Sequence, residues 1–337
     1  MLDMSRRRFL KAGTAGVLGA AGAASMAGFQ ASSAAAPAPE PLSHHASGHS
    51  GNVMIGDVDP NGVNKFDPTA MLTDWDYGKV STLPSGQTLR EYDIFAGEKE
   101  IEIAPGVFFP AWTYNGRVPG PTIRCTEGDR IRVRFVNGTG YPHSIHFHGI
   151  HVSNMDGLEP VPSGGEFTYE FDAEPFGLHL YHCHTLPLKR HIHKGLYGGF
   201  IIDPRQGRPP ARELFMMMNA FDTNFDSGNE VYAVNTVGFH YLRHPIQVKV
   251  GERIRMYVIN IVEFDPINSF HLHANYFDVY RTGTRLDTRE YTDTIMLAQG
   301  ERAILETGFK YPGKFMFHAH VSEFAELGWL GFFEVTE

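Results

Sequence analysis

Short segments in which hydrophobic and polar residues alternate recur along this chain. Residues 130–136 read Arg-Ile-Arg-Val-Arg-Phe-Val, and residues 166–171, 253–259 and 303–307 also alternate or are rich in β-formers. Successive side chains of a strand point to opposite faces, so this alternation predicts strands. Gly, Pro, Asn and Asp bound these segments, and long helical periodicity is absent. We therefore predict an all-β fold built from β-sandwiches.

The same pattern occurs twice in the chain, with a Pro-containing linker at residues 205–211 between the copies. We therefore predict two copies of one domain, at residues 89–205 and 206–337. Three pairs of segments match in the same order: residues 128–137 with 251–260, residues 143–148 with 268–273, and residues 181–184 with 317–320.

The N-terminal region is predicted to be a targeting segment. Residues 5–11 read Ser-Arg-Arg-Arg-Phe-Leu-Lys and precede an Ala/Gly-rich run, which resembles a Tat signal over residues 1–37. Such a signal predicts export to the periplasm or the medium. Residues 38–88 are predicted to be a flexible lead-in and N-terminal extension. Three histidines there are expected to be solvated linker residues: His44, His45 and His49.

Composition narrows the class of protein. The chain has 337 residues, enough for two domains, and its formal net charge of -9 argues against nucleic-acid binding. No segment after the signal is long and apolar enough for a membrane span. Of the two cysteines, Cys125 lies in a predicted core strand at residues 122–125. The alternative, a disulfide with Cys183, is compatible with an exported protein.

Four His-x-His pairs predict a metal cluster. Residues i and i+2 of a strand point to the same face, so the two imidazoles of each pair converge. Pairs at matching positions of both repeats predict eight imidazoles that face a common centre. The pairs are His146 and His148, His182 and His184, His271 and His273, and His318 and His320.

A second site is predicted on the opposite face. Cys183 lies between two of these histidines, and His143 is an odd step before His146, so both should point away from the cluster. With His191 they give the His₂Cys set of a blue-copper electron-transfer site. His193 is the alternative to His191 if the loop is shifted. The axial position falls on Leu196, which cannot coordinate a metal.

The second repeat lacks this mononuclear site. Asn268 stands where His143 does, and Ala319 stands where Cys183 does. Phe324 and Trp329 take the positions of the downstream histidine and the axial residue. Because the paired histidines remain, we predict one mononuclear site and one cluster drawn from both repeats.

Four segments carry a resemblance to a known family: residues 114–121 (Tyr-Asn-Gly-Arg-Val-Pro-Gly-Pro), 146–149, 182–184 and 318–320. They resemble those of multicopper oxidases, laccases and their relatives, and the resemblance covers roughly residues 100–335. It implies two cupredoxin-like Greek-key domains and the subgroup with the type 1 copper in the first domain. It also implies a homotrimer in which neighbouring subunits build each cluster.

The resemblance further implies four copper ions per chain. The type 1 copper would be held by His143, Cys183 and His191, and electrons would pass from Cys183 through the adjacent histidines to the cluster. His146 and His271 would bind the type 2 copper. The type 3 pair would be bound by His148, His182, His184, His273, His318 and His320.

Two carboxylates are predicted to serve O₂ reduction, which consumes protons. Asp156 resembles the family's acid beside the type 2 copper, and Glu323 resembles its proton-donating carboxylate. The other candidates are expected to be structural, with the methionines in a core strand: Met216, Met217, Met218, His151, His179, His240 and His244.

The predicted function is laccase-like oxidation of phenols or aromatic amines, coupled to reduction of O₂ to water. Oxidation of Cu(I), Fe(II) or Mn(II) is the alternative substrate class. A copper nitrite reductase would need only three histidines at its second site, and a non-enzymatic blue-copper carrier would need none of the eight.

Overall fold

The computed structural model describes residues 56–149, 151–287 and 289–337. The predicted signal at residues 1–37 and the histidines at 44, 45 and 49 lie outside the described residues. No helix in these described ranges has the length and apolar character that crossing a membrane requires.

The first half of the chain forms two five-stranded sheets. One has the order β1-β5-β10-β9-β7, and the other has the order β2-β3-β6-β8 with β4 also paired to β3. Two short α-helices, α1 (Pro68–Met71) and α2 (Leu188–His193), and a 3-10 helix at Ser153–Met155 accompany them. The strands are β1 (Trp75–Asp76), β2 (Lys79–Thr82), β3 (Thr88–Ala104), β4 (Val107–Tyr114), β5 (Thr122–Thr126), β6 (Arg130–Asn137), β7 (His146–Phe147), β8 (Glu166–Asp172), β9 (Gly177–His182) and β10 (Tyr197–Asp203).

The second half forms a six-stranded sheet, β12-β11-β14-β19-β16-β17, and a five-stranded sheet, β13-β21-β20-β15-β18. Its helices are α3 (His240–Arg243) and α4 (Ser322–Glu326). The strands are β11 (Arg212–Phe221), β12 (Val231–Val234), β13 (Ile246–Lys249), β14 (Ile254–Asn260), β15 (Ile267–Leu272), β16 (Phe277–Arg281), β17 (Glu290–Thr292), β18 (Thr294–Ala298), β19 (Arg302–Thr307), β20 (Gly313–His318) and β21 (Leu330–Thr336).

The two halves repeat one topology. β6 lies between parallel β3 and antiparallel β8, and β14 lies between parallel β11 and antiparallel β19. Likewise, the order β5-β10-β9-β7 in the first half corresponds to β13-β21-β20-β15 in the second. The predicted all-β class is confirmed, and the segments that match in sequence occupy equivalent strands.

Part of the predicted lead-in belongs to the folded body. β1 pairs with β5, β2 pairs with β3, and Asp67 caps α1 by accepting from the Thr69 backbone N–H at 2.8 Å. These elements have only two to four residues. Periodicity cannot reveal elements of that length, which is why the sequence showed only a flexible segment.

The halves share a hydrophobic cluster, which includes Phe109 and Leu180 from the first half and Phe215 and Tyr257 from the second. Beside it, the Arg124 guanidinium binds the carboxylates of Asp203 at 2.7 Å and Glu213 at 2.8 Å. Arg124 is buried, so loss of either carboxylate would leave its charge less compensated, and the pairing links Asp203 of the first half to Glu213 of the second.

Candidate metal centre

The first histidine quartet comprises His146, His148, His182 and His184. β7 and β9 are antiparallel, and their register sets His146 opposite His182. The Nε2 atoms of His148 and His182 are 3.0 Å apart. The ring centroid of His184 lies 5.3 Å from that of His146. These four imidazoles therefore lie together, as the i, i+2 spacing predicts, with His146 and His182 in paired strands and His148 and His184 just beyond the strand ends.

The second quartet, His271, His273, His318 and His320, repeats this geometry. The register of β15 and β20 sets His271 opposite His318, and the Nε2 atoms of His273 and His318 are also 3.0 Å apart. The ring of His320 lies 5.2 Å from that of His271. Equivalent strands thus build equivalent half-clusters.

Backbone carbonyls fix the tautomers of four of these rings. A carbonyl oxygen only accepts hydrogen bonds, so each contacting Nδ1 carries the proton and leaves Nε2 with a lone pair. In each half, one such Nε2 faces the Nε2 of the neighbouring ring, which a cation between them would satisfy. The Nδ1 contacts are His146 with Asp156 O at 3.0 Å, His182 with Cys183 O at 2.9 Å, His271 with Asp293 O at 3.0 Å, and His318 with Ala319 O at 2.6 Å.

Burial keeps several of these imidazoles neutral, which metal binding requires. It lowers the pKa of His148 to about 2 and the pKa of His182 to about 4. At the separate site with Cys183, burial lowers the pKa of His143 to about 3 and the pKa of His191 to about 4. Protons therefore compete weakly for these nitrogens at neutral pH.

His143, Cys183 and His191 converge in the core of the first half, where all three are buried. The Nδ1 atoms of the two histidines are 3.0 Å apart, and Cys183 Sγ lies 3.2 Å from that of His191 and 3.8 Å from that of His143. The Ser144 backbone N–H donates to this sulfur at 3.4 Å. Two facing imidazole nitrogens and a buried sulfur form a donor set that fits a soft transition-metal ion.

His143 reaches this site without the regular strand that the sequence reading assumed. β7 begins only at His146, and His143 forms an isolated bridge with Val161. Its N–H donates to Val161 O at 3.1 Å, and the bridge orients the ring toward Cys183.

The structure separates the two candidate histidines of α2. His193 Nε2 accepts the backbone N–H of Asp222 at 3.0 Å, so this nitrogen is engaged by the backbone. His191 is instead the histidine beside Cys183. Leu196 is fully buried in the same hydrophobic cluster as Cys183, so an apolar side chain stands at the predicted axial position.

The two predicted carboxylates have different surroundings. Asp156 Oδ1 lies 3.1 Å from His146 Nδ1 and 3.4 Å from His151 Nε2. Glu323 lies exposed in the first turn of α4, and its carboxylate forms no hydrogen bond or ion pair within the described ranges. The sequence analysis expected a structural role for His151, because it has no repeat partner, whereas the structure places it within ion-pairing distance of Asp156.

Three apolar side chains and one asparagine occupy the positions of the missing site in the second half. Asn268, Ala319, Phe324 and Trp329 are all buried. The backbone there is retained, since Trp329 N–H donates to Phe324 O as Leu196 N–H donates to His191 O. The two halves therefore differ here in their side chains and share the same local backbone.

Within one chain, the two quartets stay separate. Across the described ranges, ring contacts and hydrogen bonds connect histidines inside each quartet, and none connects one quartet to the other. His273 and His320 of the second quartet are exposed. This half-cluster is open on its outer side.

A surface cavity of about 430 Å³ adjoins the Cys183 site. Its wall includes Trp112, whose ring centroid lies 4.9 Å from that of His143 and 5.0 Å from that of His191. The guanidinium of Arg190 lies 5.2 Å from the Trp112 ring and 5.3 Å from the Tyr141 ring. No motif marks these residues, so the sequence analysis missed them.

The remaining candidates have structural surroundings. Met216, Met217 and Met218 are fully buried in β11. Cys125 is a free, buried cysteine, as is Cys183, so no disulfide joins them. His179 is a buried core histidine whose Nε2 lies 2.9 Å from Pro175 O, while its Nδ1 has no hydrogen-bond partner in the described part of the chain.

Comparison with known proteins agrees with this site. Two models described as multicopper oxidase match residues 96–207 and 208–337. The chain therefore belongs to the multicopper oxidase family, whose members are copper-containing oxidoreductases. Its halves are cupredoxin-like domains, as the motifs implied.

Individual relatives include both oxidases and reductases. A crystal structure of a multicopper oxidase is 56% identical, with a TM-score of 0.81, and the match covers 83% of this chain and 100% of that one. The copper-containing nitrite reductase of Neisseria gonorrhoeae is 31% identical over 245 residues, 66% of this chain. The chain spans only 62% of that protein's length. A copper nitrite reductase from Nitrosomonas europaea is 26% identical, with a TM-score of 0.69, over 74% of this chain and 94% of that one.

Proposed function

We propose that this protein is a laccase-like oxidase that takes single electrons from phenols or aromatic amines. Four electrons and four protons convert one O₂ to two molecules of water. The observation that carries the proposal is the presence of two complete histidine quartets, each with opposed Nε2 atoms 3.0 Å apart. A single mononuclear site would need only three of these eight histidines.

The residues present would hold four copper ions per chain. His143, Cys183 and His191 would hold the type 1 ion. The quartets would hold the type 2 ion, at His146 and His271, and the type 3 pair, at the other six histidines. Bound copper would supply the one-electron redox chemistry at these sites.

Residues of this chain link the Cys183 site to the first quartet and offer carboxylates for proton transfer. Cys183 is joined by peptide bonds to His182 and His184, so the buried thiol and the first quartet are covalent neighbours. Asp156 holds a carboxylate beside His146, where it can orient that ring and exchange protons. Glu323 is exposed three residues after His320 and would relay protons from solvent.

The separation of the quartets within one chain supports assembly. We propose a homotrimer in which the exposed second quartet of one subunit faces the first quartet of its neighbour. Light scattering that gave only monomers of the active, copper-loaded protein would contradict this arrangement.

The charge of the cavity at Trp112 favours aromatic donors over metal cations. Lys99, Arg190 and Lys194 outnumber Glu98 and Glu100 along its wall. A positive wall repels Cu(I), Fe(II) or Mn(II), whereas an aromatic ring can pack against Tyr141, which is exposed on the same wall. The same wall attracts phenolates.

The test uses the copper-loaded protein without residues 1–37. We expect about four copper ions per chain, a strong blue absorption band, and oxidation of four molecules of 2,6-dimethoxyphenol per O₂ consumed. About two copper ions per chain, with reduction of nitrite and no O₂ uptake, would overturn the proposal in favour of a nitrite reductase.

We also propose that residues 1–37 direct export through the Tat pathway. The supporting observation is the Ser-Arg-Arg-Arg-Phe-Leu-Lys string before an Ala/Gly-rich run. Replacing Arg6 and Arg7 with lysine should retain the protein in the cytoplasm. Unchanged export of that variant would contradict the proposal.

A further inference from the structure

A second group of metal-binding side chains lies outside the quartets, where residues of the lead-in pack against α3. His240 and His244 are one helical turn apart, and Asp57 of the lead-in approaches both. One nitrogen of each imidazole and one carboxylate oxygen lie within 4.8 Å of one another. The two ring centroids are 4.7 Å apart.

His240 has an imidazole nitrogen without a partner. The residue is 6% exposed, and its Nε2 lies 2.7 Å from Thr69 Oγ1. Its Nδ1 is buried and forms no hydrogen bond within the described ranges. A buried polar atom left unpaired costs free energy, and a bound ion would remove that cost.

Asp57 supplies the negative charge. Its Oδ2 lies 2.5 Å from His244 Nε2, and its Oδ1 lies 3.5 Å from Arg243 Nε. The Arg243 guanidinium opposes a cation here, while Asp67, whose Oδ1 lies 3.9 Å from His240 Nε2, favours one. Two imidazoles with a carboxylate form a ligand set that suits Zn²⁺ or Cu²⁺.

We propose that Asp57, His240 and His244 bind one divalent transition-metal ion that fastens the lead-in to the second domain. Between Asp57 and α1, the lead-in is held by Asn64, whose side chain donates to Glu102 O at 2.9 Å and accepts the Glu102 N–H at 2.7 Å. The Tyr241 hydroxyl also donates to Pro68 O at 2.7 Å. The ion adds a further attachment at the end of the described lead-in.

The test titrates Zn²⁺ into the copper-loaded protein by calorimetry, with copper content measured before and after. We expect one zinc ion per chain, bound at least ~10-fold more weakly in His244→Ala and in Asp57→Asn. Gln247→Ala, an exposed change just beyond α3, is the matched control and should bind as the unchanged protein does.

A second measurement reports on the attachment itself. Zinc should slow amide hydrogen exchange in residues 57–72 of the unchanged protein and leave it unaltered in His244→Ala. The proposal would be overturned if His244→Ala and Asp57→Asn bound zinc as tightly as the unchanged protein does. Loss of zinc binding on changing His44, His45 and His49 to alanine, with His244→Ala unaffected, would also overturn it.

Discussion

The two histidines of α2 should affect different properties when replaced, because His193 packs in the core and His191 lies beside Cys183. His193 is 5% exposed and accepts the Asp222 N–H at 3.0 Å. Its ring contacts those of Phe109, Phe225 and Phe264 at centroid distances of 5.3, 6.0 and 5.1 Å. In His193→Ala, the buried Asp222 N–H loses its acceptor, which costs about 1–3 kcal/mol. The lost ring contacts add roughly 0.5–1.5 kcal/mol.

We therefore expect His193→Ala to lower the free energy of unfolding by about 1.5–4.5 kcal/mol and to keep the blue absorption band. His191→Ala should instead abolish the blue band, because it removes the nitrogen that lies 3.2 Å from Cys183 Sγ. Denaturant unfolding and the visible absorbance per chain measure both effects. His193→Gln, which can restore an acceptor for Asp222, should recover part of the stability. A bleached His193→Ala protein of unchanged stability would refute this reasoning.

Two further predictions concern proton uptake. Glu323→Gln should slow O₂ reduction and leave the blue band intact. The control Glu326→Gln, on the same helix, should leave turnover unchanged. Normal turnover of Glu323→Gln would contradict a role for this carboxylate in proton transfer. Burial lowers the pKa of His179 and of His193 from 6.5 to about 4, so the unfolded chain takes up protons first as pH falls. The free energy of unfolding of the metal-free protein should therefore fall between pH 6.5 and about 4, and a denaturation midpoint that stays constant across this window would contradict the shift.

The quartets were predictable because strand geometry is local. A period of two puts both histidines of a His-x-His pair on one face, whatever the rest of the chain does. The repeat then pairs His146 with His182 and His271 with His318 through equivalent registers. The residue pattern therefore predicted the members of each quartet, although it did not show that the two quartets stay apart within one chain.

The choice between His191 and His193 was not predictable in the same way. Residues two apart in a helix point to nearly opposite sides, at about 200° around the axis. The spacing rule that joins two histidines in a strand thus separates them in α2, and only the packing of the helix shows which one faces Cys183. Trp112 and Arg190 were missed for a related reason, since they meet at the cavity from distant parts of the chain.

The second domain shows why one kind of site can disappear while the other remains. His271 and His318 of the quartet project from β15 and β20, whose pairing sets their positions, and His273 and His320 follow the ends of these strands. The residues of the vacated site point instead into the core between the sheets, where Trp329 and Phe324 now pack. Among the residues that the structure describes, Trp329 Nε1 is buried without a hydrogen-bond partner, at a cost of about 1–3 kcal/mol. Burying an indole of this size returns more than that through its apolar area. The apolar packing of Phe324 and Trp329 thus replaces the mononuclear site, while the quartet histidines keep their places.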